Sequence, residues 1–307
     1  MPTWLGDFVH TLPAVARLRE GNAGGSLTLL IPAAHFPLAR LLEVEACVRP
    51  ASAGYLWARA HLRRRFAVAL SARHATRAKL LLAGAGAPLA LASQGRGARL
   101  LGLERFAVDR HRHQRHDLDL ALARLALPPV AAGPFRLSLP DALVRVGLDL
   151  RAEYGQKGSL VALLPGARGL AAKRYPADQF AALARLLGEA GLACVAVAGP
   201  GEEELAARVA LPAGGRVFPA TSPLDEVAAL LAACDAAVGH DSGLTHLAAV
   251  LGAPTVALFG PTDPARTGPV GGATIIRASE HGAASLAELP PAVVAAAVDS
   301  LLAARPA

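Results

Sequence analysis

The sequence predicts an α/β chain of two domains with mostly parallel sheets. Three observations carry that prediction. Apolar, β-rich runs of five or six residues alternate with longer helical patterns along the whole chain, which is the mark of successive βα units. The length, 307 residues, exceeds the roughly 250 residues at which one hydrophobic core stops growing. The composition, 53% hydrophobic against 18% charged with a mean hydropathy of +0.38, is core-rich and excludes a disordered or fibrous chain.

The elements follow in order. In the first half, strands are expected near 27–31 (LTLLI), 66–70 (FAVAL) and 88–92 (PLALA), and helices near 12–20, 36–44, 56–64 and 76–83. In the second half, VALLPGA at 161–167, a helix over 177–190, LACVAVAGPG at 192–201 and a helix near 202–210 make one βαβα set. A helix at 224–233, a strand at 235–239, a helix at 243–251 and a strand at 254–260 follow, and an Ala-rich helix near 290–304 begins after Pro290-Pro291. LRAEYGQKGS at 150–159 is polar and carries Gly155 and Gly158, so the linker is expected there, with domains 1–152 and 153–307 on either side.

No apolar run reaches the ~18 uncharged residues of a membrane span. Asp7 stands where a signal peptide would place its apolar stretch, so secretion is not expected. Cys47, Cys194 and Cys234 are odd in number and embedded in apolar text, which reads as reduced core thiols of a cytosolic protein.

Charge is unevenly placed. Residues 1–150 hold 20 Lys+Arg against 10 Asp+Glu, whereas residues 151–307 hold 11 against 14. A basic N-terminal half suits an anionic partner, whether nucleic acid, a phosphorylated substrate or an acidic membrane surface; a solvated Arg-rich face is the plainer alternative. HRHQRH at 111–116 reads as a solvated basic turn, since its arginines would repel a metal ion. The D-x-D pair Asp117 and Asp119 opens a helical pattern on which i and i+2 point ~200° apart, so no metal site is expected there.

Four segments carry chemistry. The strand at 235–239 runs into GHDSGLTHLAAVLG and then PTVALFGPTDPARTGP. A strand feeding Asp241-Ser242-Gly243 into the first turn of a helix makes an anion site, because the first N–H groups are unpaired and the dipole favours negative charge. His246 lies one turn on, on the face of Ser242. The competing readings are an ordinary N-cap and a Ser242/His246 hydrolase pair, although GHDSG is not the G-x-S-x-G elbow. In LLPGARGLAAKRYP at 163–176 a buried strand ends in a loop that presents Arg168, Lys173 and Arg174, well placed for a diphosphate. VAVAGPGEEE at 195–204 lacks the third glycine of a dinucleotide fingerprint and reads as a strand-to-helix turn whose Glu202 or Glu203 could reach a ribose. In WLGDFVHTLPAVARLRE, Asp7 and His10 are expected in a turn just ahead of an amphipathic helix.

GDFVHTLP, PGARGLAAKRYPADQFAALA, AGPGEEE and GHDSGLTHLAAVLGAPTVALFGPTDPARTGP, in this order and at these separations, resemble the glycosyltransferase family 9 heptosyltransferases of lipopolysaccharide core synthesis. Between about 45 and 150 the match is loose. The resemblance implies a GT-B fold, two Rossmann-like domains facing a central cleft, with the acceptor held by the N-terminal domain and the sugar nucleotide by the C-terminal one. It implies an inverting transfer of a sugar, a heptose from ADP-heptose, to a hydroxyl of an anionic glycolipid such as the lipopolysaccharide inner core, at the cytoplasmic side and peripheral to the inner membrane.

On that reading Asp7 is the general base, His10 is on the acceptor side, and Lys173 binds the donor diphosphate and sugar. Arg168, Arg174 and Glu202 belong to the donor loops. Ser242, Gly243, Leu244 and His246 line the diphosphate site, and Asp241 faces the sugar or orders the loop. No cofactor, metal or nucleic acid takes part. The chain departs from the family in three places: only Met1–Leu5 precede the GD turn, where the family has a full strand; Pro200-Gly201 stands where the family often has an acidic residue and leaves Glu202 as its substitute; and SARHATRAKLLLAGA keeps only a loose likeness to the family's N-terminal pattern. A non-catalytic basic module using Arg63–Arg65 and residues 110–115, and a nucleotide-sugar epimerase or hydrolase on the same fold, are the readings from other classes.

Overall fold

The computed structural model describes residues 1–42, 44–71, 75–95, 97–155, 158–167 and 171–304. The chain divides into two compact units, Met1–Ala132 and Gly133–Ala307.

In the first unit, α1 (Leu5–Gly21) is followed by β1 (Thr28–Ile31), α2 (Phe36–Arg40), β2 (Glu45–Val48), α3 (Tyr55–His61), β3 (Val68–Ser71), α4 (Thr76–Ala85), β4 (Leu89–Ser93), β5 (Glu104–Phe106) and α5 (Asp119–Arg124). All pairings are parallel, but they form two separate sheets, β1-β2 and β3-β4-β5. Residues 1–4 ahead of α1 form no strand; the Met1 ammonium donates to Leu30 O at 2.8 Å. The apolar contacts are correspondingly divided. One cluster joins Ala14 of α1 to Leu91, Phe106 and Leu122, and another joins Ala58 and Leu62 to Leu81 and Ala85.

The second unit opens with α6 (Asp141–Gly155) and continues β6 (Leu160–Leu164), α7 (Ala177–Glu189), β7 (Ala193–Ala196), α8 (Glu203–Ala210), β8 (Arg216–Val217), α9 (Leu224–Ala233), β9 (Ala236–His240), α10 (Gly243–Val250), β10 (Thr255–Phe259), α11 (Pro264–Thr267), β11 (Thr274–Arg277) and α12 (Pro291–Ala303). Its six parallel strands run β11-β10-β9-β6-β7-β8. Strands β6, β9 and β10 are buried at every residue, as a parallel sheet covered on both faces requires. The core on one face is built from Val161, Leu163, Phe180, Leu183, Leu187, Val209 and Val294. Chain order reverses between β6 and β9, and ligands of such sheets bind outside the carboxyl ends of the strands at that switch point.

Three expectations are corrected here. The linker expected at 150–159 is in its first half the end of α6. That helix packs on α9, with Gly147 against the Ala229 carbonyl and Arg151 donating to Asp235 at 2.7 Å; its polar text is an exposed helix face. The true break falls earlier because Phe135 N and Leu137 N donate to Val270 O and Val250 O, both at 2.8 Å, and so tie residues after Gly133 to the second unit. Asp7 and His10 lie inside α1, which starts at Leu5 rather than near residue 12. The 111–116 segment is solvated only at its start: His111 and Arg112 are exposed, whereas Arg115 is buried and donates to the carbonyls of Ala131 and Ala132.

The three cysteines are free thiols. Burial pushes Cys194 and Cys234 up to about 12, so both stay protonated at neutral pH. No helix among the described residues is long and apolar enough to cross a membrane.

Candidate functional site

At the switch point, the carboxyl end of β9 delivers His240 and Asp241 into the turn that opens α10. Gly239 makes the turn possible by close packing, since a Cβ there would run into Thr245 Oγ1 and the Leu164 side chain. Ser242 is the extended N-cap residue of α10, yet its side chain does not cap the helix. Its Oγ meets Thr245 Oγ1 at 3.2 Å, and Thr245 in turn donates to His240 O at 2.7 Å. The first-turn N–H groups of Gly243 and Leu244, both half-buried, are therefore left to an outside acceptor.

Asp241 is the hub. Its Oδ1 lies 3.1 Å from His246 Nε2, and its Oδ2 accepts from Lys173 Nζ at 3.0 Å and from Thr267 Oγ1 at 3.4 Å. Burial works to raise the pKa of this carboxyl. The hydrogen bond and charge of His246, and then those of Lys173, overrule it and hold Asp241 ionised well below the usual carboxylate range. His246 is thus partnered with Asp241 and not with Ser242, which removes the pairing a Ser242 hydrolase would need.

Lys173 ends a short 3-10 turn, Ala171–Lys173, in the loop after β6; its side chain is 25% exposed against 6% for Asp241, so the ammonium reaches both the carboxylate and solvent. Arg174, next in sequence, is exposed. Arg168 lies outside the described residues. Across the β6 and β7 loops, Glu202 accepts from Gly199 N at 3.0 Å, and its carboxylate fills the space a side chain at Gly166 would need.

Two residues of this site escaped sequence reasoning. Thr267 stands in the RTGP run, but only the folded chain turns its hydroxyl onto Asp241. His240 is fully buried, its Nδ1 accepting from Tyr175 N at 3.3 Å. Burial, with repulsion from Arg174 and Lys173, lowers its pKa to about 4 against opposing contributions from the Gly166 backbone and Asp241, so it is a neutral spacer between the two loops.

In the first unit, the opening turn of α1 carries Asp7, whose Oδ1 accepts from Gln114 Nε2 at 2.9 Å. His10, one turn on and buried, meets His113 edge to face with ring centroids 5.4 Å apart. The 111–116 turn therefore supplies both partners of α1. Asp119 is occupied internally, accepting from Val130 N at 3.0 Å and lying 2.9 Å from His116 Nδ1.

Two successive parallel α/β units, the second with a cation and a buried carboxylate–imidazole pair at its switch point, define a protein of the GT-B class. The chain belongs to glycosyltransferase family 9 (heptosyltransferase), whose profile matches residues 62–288, well over half of the sequence. It is 40% identical over 129 residues to lipooligosaccharide heptosyltransferase 2 of Haemophilus influenzae, a stretch that covers 39% of this chain and 37% of that relative. In fold it is similar to the ADP-heptose heptosyltransferase II of Escherichia coli, with a TM-score of 0.83 and 23% identity over 98% of this chain and 97% of the other. The E. coli heptosyltransferase WaaC solved with ADP gives a TM-score of 0.74 and 20% identity, covering 97% of each chain.

Proposed function

We propose that the chain is an inverting glycosyltransferase that moves a heptose from ADP-heptose to a hydroxyl of the lipopolysaccharide inner core. The observation that carries this reading is the Lys173–Asp241–His246 network beside the uncapped first turn of α10. Such a site offers a departing diphosphate an ammonium and two backbone donors. Family membership, the names of the similar heptosyltransferases and the ADP of the WaaC structure support the donor.

The parts divide as follows. Lys173, with Arg168 and Arg174, and the N–H groups of Gly243 and Leu244 receive the charge that develops on the leaving diphosphate. Asp241 holds Lys173 in place through its fixed carboxylate, Ser242 and His246 order the turn, and Glu202 faces the ribose from the β7 loop. Asp7 takes the proton of the acceptor hydroxyl as general base, with Gln114 orienting its carboxylate and His10 on the acceptor side. The first unit is the acceptor-binding domain and the second the donor-binding domain, and the lipid acceptor makes the enzyme peripheral to the inner membrane.

The test is transfer from ADP-heptose to a heptose-deficient lipopolysaccharide core by the wild type and Asp7→Asn. The variant is expected to lose about 10²-fold or more in kcat with the affinity for ADP unchanged, because a base acts only in the transition state. Near-normal turnover would end the assignment of Asp7, and donor consumption without acceptor would favour a hydrolase or epimerase.

A further inference from the structure

Residues 46–103 contain no aspartate or glutamate and ten cations. This stretch folds as β2 through β4 with α3 and α4, and it holds a charge equal to the whole excess of the basic half. On α3 the sequence is two-faced. Ala58, with Leu62 just past the helix end, is buried against Leu81 and Ala85, whereas Leu56, Arg59 and Ala60, spaced i, i+3 and i+4, are exposed, as is Arg63 in the turn that follows. Leu56 is 77% exposed, beside an exposed Tyr55.

The turn that follows adds Arg64 and Arg65, both exposed. No ion pair among the described residues involves Arg59, Arg63, Arg64 or Arg65. Arg64 also has φ +57, a left-handed conformation that costs a residue with a side chain free energy and suits glycine. The arginine there therefore adds an exposed charge without favouring the local backbone conformation.

We infer that the outer face of α3 and the Arg63–Arg65 turn dock on an anionic bilayer surface, with the arginines against lipid phosphates and Leu56 entering the headgroup boundary. Arg59 reaches Tyr55 Oη and Arg65 reaches His61 O, both at 3.4 Å, and Arg65 lies over the Phe66 ring, so an apolar tip is flanked by exposed cations without a carboxylate partner, which matches an interfacial membrane contact. A nucleic-acid site would need free aromatic faces for bases, and the ring of Trp57 is already stacked on His61 at 4.9 Å. The inference deepens the proposed function in one respect, the place where a glycolipid acceptor is met, but its test involves no sugar transfer.

The full chain is sedimented with phosphatidylcholine vesicles containing about a third phosphatidylglycerol, and with pure phosphatidylcholine vesicles. Binding is expected only to the former and is expected to fall steeply with added salt. Each arginine near such a surface contributes about five-fold, so Arg63→Gln/Arg64→Gln/Arg65→Gln together weaken binding about 100-fold. Leu56→Asp weakens it at least several-fold. Arg64→Gly loses about five-fold in vesicle affinity while its Tm rises, a pairing that a merely structural arginine would not give.

Unchanged far-UV circular dichroism and a cooperative thermal transition show that the variants are folded without recourse to any nucleotide, which keeps failure here distinct from failure of the transferase reading. Equal vesicle binding by the wild type and the triple variant, indifference to Leu56→Asp, or tighter binding of duplex DNA than of anionic vesicles at the same salt overturns the inference.

Discussion

Asp241→Asn tests the centre of the proposed donor site because it is expected to move stability and nucleotide affinity in opposite directions. The substitution keeps the shape of the side chain and removes one negative charge. Asn Oδ1 can still accept from Lys173, while Nδ2 turns to His246, whose ring can offer an unprotonated Nε2. What is lost is the charge of two assisted hydrogen bonds, at 3.0 and 3.1 Å. Breaking a buried pair costs about 3–5 kcal/mol. Lys173 is 25% exposed and recovers hydration, so about 2 kcal/mol is expected, a Tm lower by roughly 4–8 °C for a unit of this size.

ADP responds with the other sign. Removing a carboxylate that repels the diphosphate across a partly solvated site, at an effective dielectric of about 20–40, relieves repulsion on the order of 1 kcal/mol, so Kd should fall several-fold. Sugar transfer should fall as well, since a neutral amide holds the Lys173 ammonium less firmly than the carboxylate does. Scanning calorimetry and titration calorimetry with ADP at neutral pH read the two effects. A Tm unchanged within a degree would show that the network contributes nothing to folding, and weaker ADP binding would show that Asp241 serves the nucleotide directly; either refutes this account.

Lys173→Ala should weaken ADP by about 1.5–3 kcal/mol, the worth of a charge-assisted hydrogen bond; an unchanged Kd by calorimetry would make the loop ordinary surface. Transfer should survive excess EDTA, because the charge on the leaving diphosphate is assigned to Lys173 and the α10 N–H groups; loss under chelation with recovery on Mg²⁺ would show that an ion carries it. Burial, helped by the Met1 ammonium and Arg49 for His35 and by Arg174 and Lys173 for His240, holds both histidines neutral down to about 4, whereas the unfolded chain protonates them near 6.5. Stability is therefore whole above pH 6.5 and is lost as pH falls from there to 4, by about 3 kcal/mol for each; His240→Asn, which keeps an acceptor for Tyr175 N, should flatten the acid limb of Tm against pH, and an unaltered limb would contradict this.

The second unit was legible wherever a short apolar run is bounded by glycine or proline. LVALL before Pro165-Gly166, ACVA before Gly199, AAVGH and TVALF before Gly260-Pro261 became β6, β7, β9 and β10 within a few residues of expectation. The elements missed were of two kinds. β2, β5, β8 and β11 have only two to four residues, too few to show a period. α6 buries only Gly147, Tyr154 and Gly155 among its fifteen residues, because it covers another helix rather than the sheet, and two of those three are glycines that read as breakers.

The donor loops were legible for a different reason. One strand-to-helix junction concentrates Asp241, Ser242, Gly243, Leu244 and His246 within six consecutive residues, and the neighbouring strand's loop supplies the cation. Local sequence nearly equals local space there. The proposed acceptor side has no such economy: Asp7 and its partner Gln114 are 107 residues apart.

HRHQRH shows why summed charge misleads at that distance. Counted as text, the segment is a cluster of cations that should prefer water. In the fold, Arg115 finds two carbonyls near 131–132, His116 meets Asp119, and His113 Nδ1 accepts from Arg115 N at 3.1 Å. His111 and Arg112 stay exposed, but the groups that turn inward are satisfied there, which removes the penalty that would otherwise expel them. The turn is then free to present Gln114, its one side chain with a neutral amide, to the carboxylate of Asp7. A lysine or arginine at that position would pair with Asp7 and lower its basicity, and a glutamate would repel it. An amide fixes the carboxylate without neutralising it, which suits the general-base role proposed for Asp7.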